Sequence, residues 1–260
     1  MRKIILSFLA FSTLVQAGAL GIVTHTELGY IKNQGNTDDE TFTLDAKFKK
    51  EWDNHISTTS LTGQYGKEDT LETKNKWTFD TQYDYKFENT FTFNYLLGYK
   101  TDKFTNFDYQ LYTGPGAKYI AITNKIQNLN ISANFLYSID EKSDIYSTDG
   151  TDDGIVAYPN DTTGVPLYKE GKTDNYTGYR AALDYSLQVL KNLKFTQKLT
   201  YRNSFEDAQN YFFYSKSALS SKISDIFSAG VSYSYDYANL PLSGDENFDS
   251  VFTATLSIDY

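Results

Sequence analysis

The 260-residue chain contains no cysteine, so it carries no disulfide and no lipidated-cysteine leader. The lack of cysteine fits an exported chain and a cytosolic one equally. Histidine is almost as scarce. His25 and His55 are the only two, which leaves little material for a histidine-dependent catalytic site. Basic residues are outnumbered, 24 against 33 acidic, for a formal charge of −9. That balance argues against nucleic acid as a partner, since a phosphate backbone needs a basic face. After residue 17 no run approaches the roughly 18 apolar residues of a membrane helix. No segment of helix length shows a convincing 3.6-residue apolar period either.

Tyrosine and phenylalanine are abundant, 23 and 18 residues. Both favour strands, and tyrosine suits a surface with one wet and one greasy end. Mean hydropathy is −0.50. A soluble protein gives that value, and so does a membrane barrel, because half of each strand faces a polar interior.

Residues 1–17 have the layout of a secretory signal. Arg2 and Lys3 are its basic start, and Ile4 to Leu14 its apolar run, too short to span a bilayer. Val15-Gln16-Ala17 is a small-residue cleavage site, with Gly18 as the new N-terminus; the competing readings are a membrane anchor and a buried helix. Residues 18–260 are then one domain. Export without a helical anchor leaves the periplasm, the outer membrane or the medium.

Alternation is clearest over Thr78–Lys100. Phe79, Thr81, Tyr83, Tyr85 and Phe87 share one face, and Asp80, Gln82, Asp84 and Lys86 the other. After Glu88-Asn89, which has the length and chemistry of a tight hairpin, Phe91, Phe93, Tyr95, Leu97 and Tyr99 alternate with Thr92, Asn94, Leu96, Gly98 and Lys100. Twelve strands are expected in all: 21–33, 40–52, 55–66, 72–87, 90–102, 108–122, 127–140, 173–190, 193–205, 211–222, 226–238 and 247–260. Their connections alternate between short turns, such as Asp53-Asn54 and Lys191-Asn192, and longer ones, of which 141–172 is by far the longest. An up-and-down barrel in the outer membrane of a Gram-negative bacterium has short periplasmic turns and long external loops. A Greek-key sandwich has no reason to obey that parity. A soluble barrel would put the apolar set inside; Asp80, Asp84, Lys86, Asn94, Asp184 and Gln188 lie mid-strand, costly if buried in a dry core and ordinary in a wet, charge-paired lumen. The fold expected is therefore an all-β, transmembrane, antiparallel barrel.

Its lumen-facing candidates are His25, Glu27, Asp80, Asp84, Lys86, Asn94, Lys100, Asp184 and Gln188. Trp52, Trp77, Phe87, Tyr99, Phe104 and Tyr119 are candidates for aromatic girdles at the two membrane interfaces. Phe252, Ala254, Leu256, Ile258 and Tyr260 alternate to the last residue. This looks like the C-terminal signal by which outer-membrane β-proteins meet their assembly machinery, with Tyr260 in place of the usual Phe. Lipid is the expected partner, and a twelve-stranded lumen leaves room for a small solute.

The residues Glu27-Leu28-Gly29-Tyr30, Gly35-Asn36-Thr37-Asp38, Gln82-Tyr83-Asp84-Tyr85, Asp102-Lys103-Phe104, Phe107-Asp108-Tyr109 and Gly114-Pro115-Gly116-Ala117-Lys118-Tyr119 resemble a family, the YdiY-like salt-induced outer-membrane proteins, a domain of unknown function. The similarity runs through most of the chain and is best from 27 to 140. Gln110 and Pro115 depart from the pattern. The resemblance implies an outer-membrane location and a barrel, not an activity.

Three chemical readings remain. His55 with Ser57 or Thr59 invites comparison with outer-membrane phospholipase, but no third group is placed to orient a base. Asp149 to Gly154 resembles the start of a calcium loop, yet Asn160 stands where the bidentate Glu belongs, so no metal and no cofactor is assigned. Residues 141–172 form either a plug in the lumen or an external surface, with Tyr158 and Tyr168 as anchors. The expected function is a structural or narrow-pore envelope protein rather than an enzyme; the alternatives are a membrane-embedded hydrolase acting on lipid or peptide and a surface-loop receptor or adhesin.

Overall fold

The computed structural model describes residues 21–33, 39–69, 71–105, 107–151, 155, 163–240 and 246–259. The leader 1–17 and Tyr260 lie outside them.

Fourteen strands follow in chain order: β1 Ile22–Asn33, β2 Asp39–Trp52, β3 His55–Glu68, β4 Leu71–Lys86, β5 Phe91–Asp102, β6 Phe107–Thr123, β7 Gln127–Lys142, β8 Ile145–Tyr146, β9 Leu167–Lys169, β10 Thr173–Leu190, β11 Leu193–Ser204, β12 Tyr211–Lys222, β13 Phe227–Ala238 and β14 Phe248–Asp259. Twelve of them close into an antiparallel barrel, each beside its sequence neighbour, with β7 next to β10 and β14 next to β1. Closure pairs each strand on both sides and leaves the ring no free edge strand, although the β1–β14 seam is short, His25–Tyr30 against Ala254–Asp259. The closing seam pairs His25 with Asp259 and Tyr30 with Ala254.

Strand β5 shows which way round the barrel is built. Phe93, Tyr95, Leu97 and Tyr99 are 50%, 52%, 39% and 42% exposed, while Thr92, Asn94 and Leu96 between them are 1%, 6% and 2% exposed. The greasy face is the outer face. Val231 and Tyr233 on β13 and Phe252 and Leu256 on β14 are exposed in the same way. An apolar belt running round a whole molecule exceeds what water-exposed monomers tolerate, and acyl chains are the solvent that suits it.

Turn chemistry sets the short-turn end. Asp53 has a positive φ of 48° in the two-residue link between β2 and β3, a conformation that Asp and Asn accept more readily than most side chains. The link between β4 and β5 is wider than Glu88-Asn89 suggests. Lys86 is opposite Thr92, and the N–H groups of Phe87 and Glu88 both donate to the Phe91 carbonyl. Phe87 lies just beyond the ladder, its ring packed edge-on against Phe93, 5.8 Å between centroids, on the outer surface.

At the other end the long connection continues the β7–β10 pair. Lys142 N–H donates to the Lys172 carbonyl, the Gly171 N–H to Asp144, and β8 and β9 pair only with each other. None of its described residues lines the lumen cavity. Tyr168 is 40% exposed; Tyr158 lies outside the described residues.

Candidate functional site

The polar faces of twelve strands converge on a lumen filled largely by their own side chains. A cavity of about 150 Å³ remains, room for a handful of waters or one small solute. Thr43, Gln64, Thr78, Thr200, Ser232 and Ser234 line it with hydroxyl and amide groups, beside a set of charges.

Those charges fall into layers. Toward the long-loop end, Lys76 Nζ on β4 lies 2.6 Å from Asp236 on β13 and 3.5 Å from Asp102 on β5; Lys100 on β5 is also 3.5 Å from Asp236. Asp236 stands nearly opposite Lys76 and fully opposite Lys100 round the ring, so its two pairs cross the lumen, whereas Lys76 and Asp102 are ladder partners on adjacent strands. Next to them Tyr112 on β6 donates its phenol to Asp80, 2.6 Å, and Gln110 and Tyr176 both donate to Asp140, at 3.0 and 2.9 Å. Midway, Lys216 on β12 reaches Glu27 on β1, 2.7 Å, and Asp45 on β2, 3.0 Å. Lys118 pairs with Asp84 at 2.9 Å, and Asn134 Nδ2 donates to Asn94 at 2.6 Å. At the short-turn end Lys86 pairs with Glu51, and His25 with Asp259 at 2.7 Å.

Of the nine lumen candidates, Asp80 and Lys100 line the cavity, and His25, Glu27, Asp84, Lys86 and Asn94 have the polar partners just named, which the linear sequence does not reveal. Asp184 faces Lys198 across the β10–β11 ladder. Gln188 differs. A register shift between Gln188 and Leu190 turns its amide onto the turn, where Nε2 donates to the carbonyls of Leu190, 2.7 Å, and Leu193, 3.2 Å. It clasps the turn rather than lining the lumen.

Of the aromatic candidates, Trp52, Trp77, Phe87, Tyr99 and Tyr119 are exposed on the outer surface. Trp77 lies over Gly63, where any Cβ would meet its ring, so the bare strand there is filled by the neighbour's indole. Phe104 differs: it sits in the β5–β6 turn and lines a smaller cavity at the mouth with Asp102, Phe107 and Phe248. Its N–H donates to Asp102 Oδ1, which folds the turn inward over the lumen. A further run of touching aromatic rings went unread in the sequence. Phe135, Phe205, Tyr179, Tyr201, Tyr211 and Tyr237 contact one another in turn across β7 to β13, with centroids 5.5–5.9 Å apart. Its signal is the same: tyrosines near strand ends on the apolar face.

The chemical candidates have mundane surroundings. His55 stacks on Trp52 at 5.7 Å and shares a hydrogen bond with the Tyr83 hydroxyl on the outer surface. In the calcium-like segment Asp149 Oδ1 accepts from the Thr151 N–H and hydroxyl and from Ser147. Those donors, the Thr151 N–H first, hold its carboxyl below the usual range. Asp152, Asp153, Gly154 and Asn160 lie outside the described residues. Among the described residues no group of three His, Asp or Glu side chains is placed to hold a metal ion.

Residues 26–260 match the family described as "Protein of unknown function, DUF481". The chain belongs to that family. The YdiY-like resemblance read from the motifs between Glu27 and Tyr119 is to the same family. No curated protein matches the sequence. Among solved structures, the NanC porin is 12% identical at a TM-score of 0.46, over 91% of this chain and 97% of that one. The translocator domain of the autotransporter NalP from Neisseria meningitidis is 9% identical at 0.48, over 92% and 87%. The KdgM porin is 10% identical at 0.44, over 91% and 99%. The barrel assignment itself stands on the chain's own strand pairing.

Proposed function

We propose that this DUF481 chain is an integral outer-membrane barrel with a narrow, polar, ion-paired lumen, serving the envelope as a structural protein or a restricted pore. The short turns would lie in the periplasm and the β8–β9 ribbon outside, following the turn-length asymmetry of such barrels. One observation carries the reading. Lys76 and Lys100 reach Asp236 across the barrel, so the aqueous path is interrupted by side chains rather than left open. Sixteen-stranded barrels leave a free channel; twelve strands bring opposite walls within the reach of a lysine and an aspartate. The hydrolase alternative loses support at His55, whose hydrogen bond is to the Tyr83 hydroxyl and not to an orienting carboxylate.

Planar-bilayer recording tests this. The refolded barrel should show small, infrequent conductance steps or none, well below those of an open porin. A large ohmic conductance in the unmodified protein would overturn the reading.

A further inference from the structure

Among the described residues, two arginines in the lumen have no carboxylate within ion-pair distance. Arg180 on β10 and Arg202 on β11 are direct partners in the ladder and both line the cavity. Like charges placed opposite each other on adjacent strands repel. Four residues further along the same pair of strands the pattern is the ordinary one, Asp184 opposite Lys198. Arg202 is 7% exposed, and its guanidinium is held between the rings of Phe212, 4.5 Å, and Tyr112, 4.7 Å. Among the described residues no carboxylate pairs with either guanidinium, and the one hydrogen bond to either is a long contact of 3.5 Å from Arg180 to Asn134.

The carboxylates around the cavity are engaged elsewhere. Asp80 accepts from Tyr112, Asp236 pairs with Lys76 and Lys100, and Asp45 pairs with Lys216. Asp140, nearby on β7, accepts from Gln110 and Tyr176. Arg202 is a buried cation without a carboxylate partner, which is costly, and the half-buried Arg180 opposite it adds a like charge. The aromatic faces add a fixed orientation. They leave the guanidinium edge, with its fork of N–H donors, as the part able to bond.

We propose that Arg180 and Arg202 form a binding site for a small oxyanion, a carboxylate or phosphoryl group on a solute of a size to enter the lumen. Each guanidinium donates two N–H groups to the anion's oxygens, the geometry that arginine offers and lysine does not. Tyr112 is a positioning residue: its phenol is tied to Asp80 and its ring holds Arg202 in place. This inference rests on the reading of the lumen as aqueous.

Calorimetric titration of the folded barrel in zwitterionic detergent, in a chloride background, tests it with two probes. Inorganic phosphate and succinate represent the phosphoryl and carboxylate sources, and the tighter of the two names the group. Saturable heat with a dissociation constant on the order of 1 mM or below is expected for at least one. Arg202→Gln and Arg180→Gln should each weaken binding at least tenfold, and Arg202→Lys should not restore it. Lys125→Gln, in the turn after β6, should leave it unchanged. Folding of each variant is checked by the shift in gel mobility on boiling. No heat with either probe, or equal binding in the arginine variants, overturns the site. Labelling of Thr200→Cys, a cavity-lining position, by a water-soluble maleimide separates the two claims. Labelling without binding overturns the anion site alone, and no labelling overturns the aqueous lumen with it.

Discussion

Lys100 on β5 and Asp236 on β13 stand six strands apart whichever way the barrel is followed, yet their charged groups are 3.5 Å apart. A diametric contact of that kind means the lumen is spanned, not merely lined. Lys76 joins the same carboxylate from the strand beside Lys100. One aspartate therefore holds two lysines from the far wall.

Replacing Asp236 should release both. Asp236→Ala leaves two lysines with Asp102 as their remaining close carboxylate, and that one reaches Lys76. Conductance in planar bilayers should rise and favour anions. The barrel should also lose about 3 kcal/mol in urea unfolding, toward the lower end for a buried pair broken on one side. Unchanged conductance would show that the Lys–Asp bridge does not limit the path.

Gly98 faces inward on β5, where an added Cβ would run into the Tyr112 ring and lie 2.5 Å from Asp80 Oδ1. The ring is pinned by Asp80 on one side and Arg202 on the other, so it has little room to give. Gly98→Ala should destabilise the barrel by about 1–3 kcal/mol in the same unfolding assay, and Tyr112→Ala in the Gly98→Ala background should recover part of the loss. Equal stability of Gly98→Ala and the parent would show that the ring is free to move.

His55→Ala tests the enzyme alternative. Its imidazole contributes an aromatic stack and a hydrogen bond at an exposed surface, so the change should cost about 1 kcal/mol or less and alter no hydrolytic activity. A lipase or peptidase activity present in the parent and lost in this variant would make the protein an enzyme.

Asp149 supplies a pH effect in the loop. Its carboxyl is held below the ordinary value by donors that need the charged form, so the folded state binds the proton less readily than the unfolded one. The stabilisation is therefore present above the ordinary carboxylate range and lost as pH falls below about 3.9. Protection of the Thr151 amide in hydrogen exchange should drop over that window, and Asp149→Asn should blunt the drop.

The barrel was legible in the sequence because strand alternation is local. Phe93 and Asn94 must face opposite ways, whatever the rest of the chain does. Strand count, and the short or long character of each turn, follow from where alternation stops. The site was legible only by face. Asp80, Asp84 and Lys100 could be placed inside, but Lys100 finds Asp236 through the circumference of the closed ring, which no spacing in the chain encodes. Arg180 and Arg202 carry the same inward parity; their juxtaposition depends on the β10–β11 register across the turn. Gln188 and Phe104 escaped because a bulge and an inward-folded turn break the alternation on which the reading relied.

The account rests on the apolar face looking out and the charged face looking in, and the cysteine-free chain allows that to be measured directly. Single cysteines at Leu97 and Val231, on the outer face, and at Gln82 and Ser234, on the inner face, can be compared in protein refolded into lipid vesicles. Leu97→Cys and Val231→Cys should carry a fluorophore that nitroxides on lipid chains quench, while Gln82→Cys and Ser234→Cys react with a water-soluble maleimide and escape lipid quenching. Lipid quenching at 82 and 234, with aqueous labelling at 97 and 231, would contradict the account.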